Sequence, residues 1–367
     1  MLLSSAAGKG QPRKLLRLQG DQVPTVDVFI PCCGEKINLI LDTVRAACAV
    51  DYPNNRFRVV VLDDGSSSEL EKEISRVQRR HSHLYYITRP NKPTGFEKAS
   101  NLNYALSYVK TLQGGPSEYV AVLDADMIAE PDWLRALLPH LMQEPRLAMA
   151  NPPQVYYNVP PHDPLLQDID LLFDMLEPVK DRIGSAWCTG SGWIARRCAI
   201  DQMGGLPADF LNENILTSFL LLAAGWRIAY VPEKIQYGLA PDSVQGHISQ
   251  RKRWTVGLMQ PITFGWTPRA RTMTRLQRFG AVVPTINFAL SNIIVVTAAI
   301  LMPFTLLSGR PLIIYSTPQQ LRLLCRLAFV EFAATWYASW QTPLSRGFRR
   351  SAKGSLAAGW LLPCELS

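Results

Sequence analysis

Two carboxylates stand two residues apart in the segment VLDADMIAEPDW, where Asp124 and Asp126 follow the apolar run YVAVL. If that run is a strand, its period of two places both side chains on one face, where they can bind the same ion. Carboxylate oxygens suit Mg²⁺ or Mn²⁺, and such an ion neutralises a diphosphate. The alternative is an ordinary strand-to-helix turn with an aspartate as N-cap. We predict a metal site at Asp124 and Asp126.

A second acidic pair, Asp63 and Asp64, closes another apolar run and precedes Gly65. Neither acidic pair has a basic partner beside it in the sequence. Carboxylates gathered in this way repel one another, and a bound cation or a donor-rich ligand such as a nucleoside would relieve the repulsion. The two pairs together therefore predict a nucleotide site.

Two further segments could approach an anionic ligand. In KASNLNYAL, Lys98 and Asn101 lie near the start of a predicted helix, where backbone N–H groups and the helix dipole favour a phosphate. A solvated lysine and a capping asparagine explain that segment equally well. In CTGSGWIARR, a Gly-rich turn around Thr189 and Gly190 lets the backbone approach a ligand before an apolar strand begins. We place Thr189 and Gly190 on the acceptor side.

The segment QRKRW joins three cations to an indole. On a helix, Gln250, Arg253 and Trp254 share a face through i, i+3 and i, i+4 spacing. Arginine can bind a leaving diphosphate bidentately, and tryptophan can stack on a sugar. The alternative is a basic membrane-surface patch with a tryptophan anchor.

These residues must be positioned by the elements that precede them. Apolar runs rich in β-branched residues alternate with helix-length segments, which is typical of a parallel α/β sheet. The runs lie at 25–30, 57–62, 84–88, 119–123 and 147–150. Ligands of open α/β sheets bind at the carboxyl ends of the strands, where the polar segments lie. Neither a G-x-G-x-x-G after the first strand nor a P-loop is present, which disfavours dinucleotide enzymes and P-loop NTPases.

The distribution of charge and the spacing of the cysteines disfavour further classes of protein. The 367 residues carry a net charge of +8, but residues 240–367 hold 14 Lys or Arg against 3 Asp or Glu, so the remainder is net negative. This distribution fits nucleic-acid binding badly. The seven cysteines show neither C-x-x-C spacing nor nearby histidine pairs, and we expect reduced thiols, not a disulfide scaffold or a zinc site. The N-terminus is too weakly apolar for a signal peptide, so the first domain should face the cytosol.

The C-terminal third predicts membrane association. Residues 279–309 contain no charged side chain, and a bilayer crossing needs about 20 mainly apolar residues, so we expect a span at about 281–302. A buried or interfacial helix is the alternative. A shorter stretch, 327–340, suits a re-entrant or interfacial helix. Four arginines precede the run, as the positive-inside rule expects of a cytosolic flank: Arg269, Arg271, Arg275 and Arg278.

The order of these motifs resembles that of the processive-type family 2 glycosyltransferases, the group that includes cellulose, chitin and hyaluronan synthases and related fungal enzymes. The resemblance covers about residues 26–260. PCCGE keeps Pro31 and Glu35 of the family's first motif but has Cys33 and Gly34 inside it. DDGS is similar to the nucleoside-binding turn, KASNLN to the K-A-G-N-L-N segment, and DAD to the metal-binding D-x-D.

The resemblance also assigns roles. NPPQVYYN is similar to the segment that lines the acceptor path, which implies that role for Gln154. QRKRW completes the Q-x-x-R-W pattern, which implies Arg253 at the diphosphate and Trp254 beside the acceptor. The residues expected to bind the nucleotide sugar are Pro31, Glu35, Asp63, Asp64, Lys98, Asn101, Asp124 and Gln250.

The general-base position departs from the family. Relatives carry T-E-D or a similar triplet before a helix that ends in Gly-Trp, and this chain aligns Asn212, Glu213 and Asn214 there. An amide cannot accept the acceptor's proton. Three explanations stay open: Glu213 is the base, which we rank first; an already ionised acceptor is oriented by Asn214; or catalysis is lost. Asp209 is a weaker substitute because it lies a helical turn or more upstream.

Together these features predict a GT-A type α/β domain over 25–260, an N-terminal tail over 1–24, and an interfacial and transmembrane region with a basic tail over 261–367. The expected activity is inverting hexosyl transfer from a nucleotide sugar, UDP-linked, with Mg²⁺ or Mn²⁺. The acceptor would be a lipid, small molecule or glycan at the cytosolic membrane face. The alternatives are a membrane-tethered pseudoglycosyltransferase that acts as a binding partner, or a truncated polysaccharide synthase. Polymer-secreting relatives usually have several transmembrane helices, whereas this sequence predicts one clear span. A multi-helix export pore is therefore not expected from one copy.

Overall fold

The computed structural model describes residues 13–90, 98–160, 163, 165, 167, 169, 172–208, 213–259, 272–309 and 314–341. The five predicted apolar runs all form strands, and most of their side chains are buried. These strands are β1 (Val26–Cys32), β2 (Phe57–Asp63), β3 (Leu84–Ile87), β4 (Tyr119–Val122) and β6 (Leu147–Asn151). Four more strands were not predicted: β5 (Met127–Ala129), β7 (Val155–Tyr156), β9 (Arg227–Tyr230) and β10 (Gln236–Gly238).

The main sheet has seven strands in the order β3-β2-β1-β4-β8-β6-β9, where β8 is Trp193–Arg196 and β9 is Arg227–Tyr230. The first four strands are parallel, but β8 runs antiparallel to both of its neighbours. The prediction of a parallel sheet was therefore wrong at β8. The reason is that the Gly-rich turn before β8 already lies at the carboxyl edge of β4, so the strand has to run back from that edge.

Helices cover both faces of this sheet. They are α1 (Ile37–Cys48), α2 (Ser68–Gln78), α3 (Lys98–Tyr108), α4 (Trp133–Gln143), α5 (Glu177–Arg182), α6 (Arg197–Gln202), α7 (Glu213–Ala223) and α8 (Val244–Met259). The period of two divides each strand between the two layers. In β2, for example, Val59 and Val61 belong to the core cluster under α1 and α4, whereas Val60 and Leu62 belong to the cluster under α3 and α6.

A small second sheet, in the order β5-β10-β7, lies directly after the DAD turn. Its strand β5 begins one residue after Asp126 and pairs antiparallel with β10, which in turn pairs with β7. The small sheet therefore links the DAD turn to Tyr156 and to the segment that leads into α8.

Two long helices follow α8 in the chain. Helix α9 (Arg275–Leu307) begins with a capping box between Thr274 and Gln277, and α10 (Pro318–Gln341) contains the predicted interfacial stretch. Within the described residues, no helix combines the length and the hydropathy that a bilayer crossing requires. The predicted span at about 281–302 is thus a helix but is not confirmed as a span. Residues 1–12 of the predicted N-terminal tail and the basic tail after residue 341 lie outside the described residues.

Candidate active site

The DAD turn is anchored on both sides. Thr43 Oγ1 donates a hydrogen bond to the Ala125 carbonyl at 2.9 Å, and the Asp124 N–H donates to Ser191 Oγ at 3.0 Å. Asp126 is half-buried. Burial first, and then the negative charge of Asp124, raise the pKa of Asp126 to about 6. Two neighbouring carboxylates that resist joint ionisation form a donor set that fits a hard divalent cation.

Lys98, the first residue of α3, lies at the centre of the carboxyl edge. Its Nζ is 2.5 Å from Asp124 Oδ1 and 3.8 Å from Glu213 Oε1, and it donates to the Gly190 carbonyl at 2.9 Å. Burial lowers the pKa of Lys98, but the carboxylates of Asp124 and Glu213 outweigh burial and leave that pKa raised. The lysine predicted to bind phosphate thus lies against two carboxylates.

The first turn of α7 places Glu213 and Asn214 in the same region. Glu213 is buried, and its Oε1 has no hydrogen-bond partner among the residues described. Burial raises the pKa of Glu213, while the charge of Lys98 acts in the opposite direction. Asn214 Oδ1 accepts a hydrogen bond from Cys188 Sγ at 3.5 Å. The carboxylate beside the expected base position therefore points toward the lysine, whereas Asp209 and Asn212 lie outside the described residues.

The DDGS turn is held together by internal hydrogen bonds. Asp63 accepts hydrogen bonds from the N–H groups of Gly65 and Ser67, both at 2.7 Å, and from the Tyr86 hydroxyl at 2.7 Å. This satisfies the Asp63 carboxylate locally and fixes the turn into α2.

Asp64 has a basic partner that the sequence did not reveal. Arg89, which follows β3, binds Asp64 through two hydrogen bonds of 2.8 and 2.6 Å, and both side chains are buried. The sequence places no basic residue beside Asp64, but adjacent parallel strands bring Arg89 to the same edge, so Arg89 relieves the charge repulsion that was inferred there.

Three predicted nucleotide-binding residues have local roles in this structure. Pro31 pairs with Leu62 in the β1–β2 register, and Glu35 accepts from the Cys33 N–H at 2.5 Å. Asn101 is buried and donates to the Leu62 carbonyl at 3.0 Å, which ties α3 to the end of β2.

The Gly-rich turn before β8 packs closely against its neighbours. Gln154 Nε2 donates to the Thr189 carbonyl at 2.6 Å, and Gly190 has a φ of +113°. At Gly192, φ is +71° and an added Cβ would lie 2.4 Å from the side chain of Gln236, so only glycine fits there. This packing brings Gln154, Thr189 and Gly190 together beside Lys98.

Helix α8 carries the QRKRW motif, as predicted. Gln250 is hydrogen-bonded to Tyr156, whose pKa is raised by burial and by the nearby charges of Asp126 and Asp124. Arg253 is exposed, while the guanidinium of Arg251 lies 5.1 Å from the centre of the Trp254 ring. The structure therefore joins Gln250 to the carboxyl edge but does not join Arg253 to it.

Sequence reasoning missed Tyr156, Arg251, Ser191 and Cys188 as neighbours of the site. All four lie inside segments that were selected, and that membership was the available signal. Their packing toward the site depends on β7 and β8, which pair with strands distant in the chain.

A mixed α/β sheet whose carboxyl edge gathers three carboxylates, a lysine and a Gly-rich turn defines an enzyme of the nucleotide-binding α/β class. Residues 24–257 match the family model described as Glycosyltransferase like family 2. Since that match covers more than half of the chain, this protein belongs to the family 2 glycosyltransferases. The likeness to cellulose synthases agrees with this assignment.

The chain is 30% identical over 257 residues to the UDP-forming cellulose synthase catalytic subunit of Xanthomonas axonopodis pv. citri, covering 68% of this chain and 34% of that protein. It is 26% identical over 362 residues to cellulose synthase 2 of Novacetimonas hansenii, covering 89% and 21% of the two chains. It therefore spans about a third or less of the length of these relatives. A mannosyltransferase from Pyrobaculum calidifontis, solved with GDP-Man and Mn²⁺, superimposes with a TM-score of 0.57 at 18% identity over 97% of this chain and 92% of that one. This last likeness supports the GT-A type fold.

Proposed function

We propose that this glycosyltransferase moves a hexose from a UDP-linked sugar to an acceptor hydroxyl, with inversion at the anomeric carbon. The observation that carries the proposal is the convergence of Asp124, Asp126, Lys98 and Glu213 at the carboxyl edge of the sheet. The four groups combine two metal-ligand carboxylates, a cation and a further carboxylate within one site.

Asp124 and Asp126 would hold Mg²⁺ or Mn²⁺. The metal supplies charge stabilisation for the departing nucleoside diphosphate. The raised pKa of Asp126, about 6, supports this role, because a nearby divalent cation would favour its ionised form. Lys98 would then place its charge beside the diphosphate while it still orients Asp124.

Glu213 would serve as the general base. Its carboxylate is buried, its Oε1 has no hydrogen bond within the described part of the chain, and Lys98 lies 3.8 Å away. The Lys98 charge favours the ionised carboxylate that a base requires. In the transfer, the acceptor oxygen attacks the anomeric carbon, its proton goes to Glu213, and the bond to the diphosphate breaks. Asn214 would orient the acceptor.

The acceptor side would be formed by Gln154, Thr189, Gly190 and Trp254. The proposed acceptor is a lipid, a small molecule or a glycan, and the proposed location is the cytosolic face of a membrane. Exposed aliphatic side chains on α9 support membrane association, for example Ile293 at 60% and Ile300 at 65% exposure.

Asn214 at the usual base position favours a second candidate, a pseudoglycosyltransferase that binds a nucleotide sugar without transferring it. Nucleoside diphosphate release by membranes containing the protein separates the two candidates, measured with Mn²⁺ or Mg²⁺ and a panel of UDP- and GDP-sugars. We expect turnover by the wild type, and a loss of about 10²–10⁴-fold in Glu213→Gln because the proton acceptor is removed.

Asn214→Asp is the matched comparison, since it restores the usual carboxylate one residue away. Wild-type turnover that Glu213→Gln leaves unchanged would overturn Glu213 as base. Turnover that only Asn214→Asp displays would favour the pseudoenzyme.

A further inference from the structure

Three metal-ligating side chains meet at the edge of the sheet opposite the candidate active site. Cys48 is the last residue of α1, and His81 and His83 precede β3. One ligand atom from each of the three lies within 4.8 Å of the others. Because β2 spans seven residues at about 3.3 Å per residue, its length separates this cluster from Asp63 by roughly 20 Å.

The backbone around the two histidines is fixed. The Leu84 N–H donates to the His81 carbonyl at 3.1 Å, and the Val59 N–H donates to the His83 carbonyl at 2.9 Å. The His83 ring also packs on Phe57 with 4.5 Å between ring centres, and the two imidazoles lie at 86° to each other. Cys48 is therefore presented by α1, and the two histidines are presented by the segment that precedes β3 and bonds to β2.

The buried His83 ring has a nitrogen that lacks a hydrogen-bond partner in the described part of the chain. His83 is 6% exposed, and its Nε2 has no hydrogen-bond partner among the residues described. An imidazole with a buried ring nitrogen that lacks a hydrogen-bond partner is a group that a metal ion would satisfy.

We propose that Cys48, His81 and His83 form a second metal site that binds Zn²⁺ through one thiolate and two imidazoles. One sulfur and two nitrogen ligands suit zinc, with the fourth position open to water. In a tetrahedral site these ligand atoms would lie about 3.3–3.6 Å apart, so closure needs movements of about 1 Å. Half-buried His81 can supply much of that movement.

A surface cavity adjoins one of the three side chains, His83. It has a volume of about 290 Å³ and is lined in part by Phe57, Ser82 and His83. On binding, the Cys48 thiol loses its proton to solvent and the sulfur lone pair bonds to zinc, without any redox change. The bound ion would cross-link the end of α1 to the loop before β3 and stabilise the fold.

Co²⁺ titration of the purified full chain, stripped with a chelator, tests the site by absorbance. Co²⁺ bound to a thiolate gives a sulfur-to-metal charge-transfer band, whereas Co²⁺ on Asp124 and Asp126 gives none. The band is expected in the wild type and in Cys198→Ser, a matched control at an exposed cysteine, and its loss is expected in Cys48→Ser.

His81→Gln covers the case in which Cys48→Ser fails to fold, since His81 is only half-buried. It is expected to weaken Zn²⁺ binding more than about tenfold and to remove most of the zinc-induced rise in melting temperature. A wild-type protein without the thiolate band would overturn the site. Unchanged Zn²⁺ affinity in His81→Gln would also overturn it.

Discussion

Replacing Asp126 by asparagine is expected to stabilise the metal-free protein while it removes metal-dependent turnover. Burial and then the charge of Asp124 raise the pKa of Asp126 from 3.8 to about 6 in the folded state. One pKa unit corresponds to 1.36 kcal/mol, so ionised Asp126 costs up to about 3 kcal/mol of folding free energy. Asparagine has nearly the same shape and carries no charge, which removes that cost.

The raised pKa of Asp126 decides how the stability difference between wild type and variant changes with pH. Below about pH 4 the Asp126 carboxyl is protonated in the folded and unfolded states, so wild type and variant should be equally stable. As pH rises from about 4 to 6, the unfolded chain ionises first and the wild type loses stability relative to the variant. Above about pH 6 the difference should stay constant at up to about 3 kcal/mol.

Urea unfolding at pH 4 and pH 8 with a chelator measures this difference as a shift in midpoint. Asp42→Asn is a suitable control, because Asp42 is 56% exposed and its i, i+3 pair with Arg45 lies on the surface. That control should change stability by less than about 0.5 kcal/mol. An Asp126→Asn variant no more stable than wild type at pH 8 would refute the electrostatic reasoning.

Two further predictions concern the elements that frame the site. Gly192→Ala should cost more than about 2 kcal/mol in urea unfolding, because an added Cβ would meet Gln236 at 2.4 Å, whereas Gly225→Ala, with open space around it, should cost only about 1–2 kcal/mol. Equal costs would contradict the packing argument. Arg89→Met should cost about 3–5 kcal/mol by leaving Asp64 buried without a counter-ion, and Asp64→Asn in the same chain should restore most of that loss. A double variant as unstable as the single one would show that Arg89 acts through other contacts.

Strands of the main sheet could be predicted from the sequence where a continuous run of apolar residues marks them. Continuous apolar runs gave β1 and β2 within two residues, because a strand buried on both faces needs apolar side chains along its length. The direction of β8 could not be predicted, since it depends on where the preceding turn lies in three dimensions. The short strands of the second sheet also have too few residues to show periodicity.

The residue types at the site were readable from the sequence, but their pairing was not. Asp124 and Asp126 are close in sequence, but β4 ends at Val122, so both lie in the turn after the strand and the predicted strand alternation does not position them. The partners of Asp64 and Lys98 are residues distant in the chain, Arg89 and Glu213. The approach of Cys48 to the two histidines before β3 could not be predicted either, because these residues are also distant in the chain.

The most direct test of the central claim is the initial rate of nucleoside diphosphate release from a UDP-sugar by the full chain, with Mn²⁺ and with a chelator, in wild type and Asp126→Ala. If Asp124 and Asp126 hold the metal that stabilises the leaving diphosphate, the wild type turns over with Mn²⁺, and both the chelator and Asp126→Ala remove that activity. Release that proceeds equally in the chelator, or that Asp126→Ala retains in full, would contradict the account.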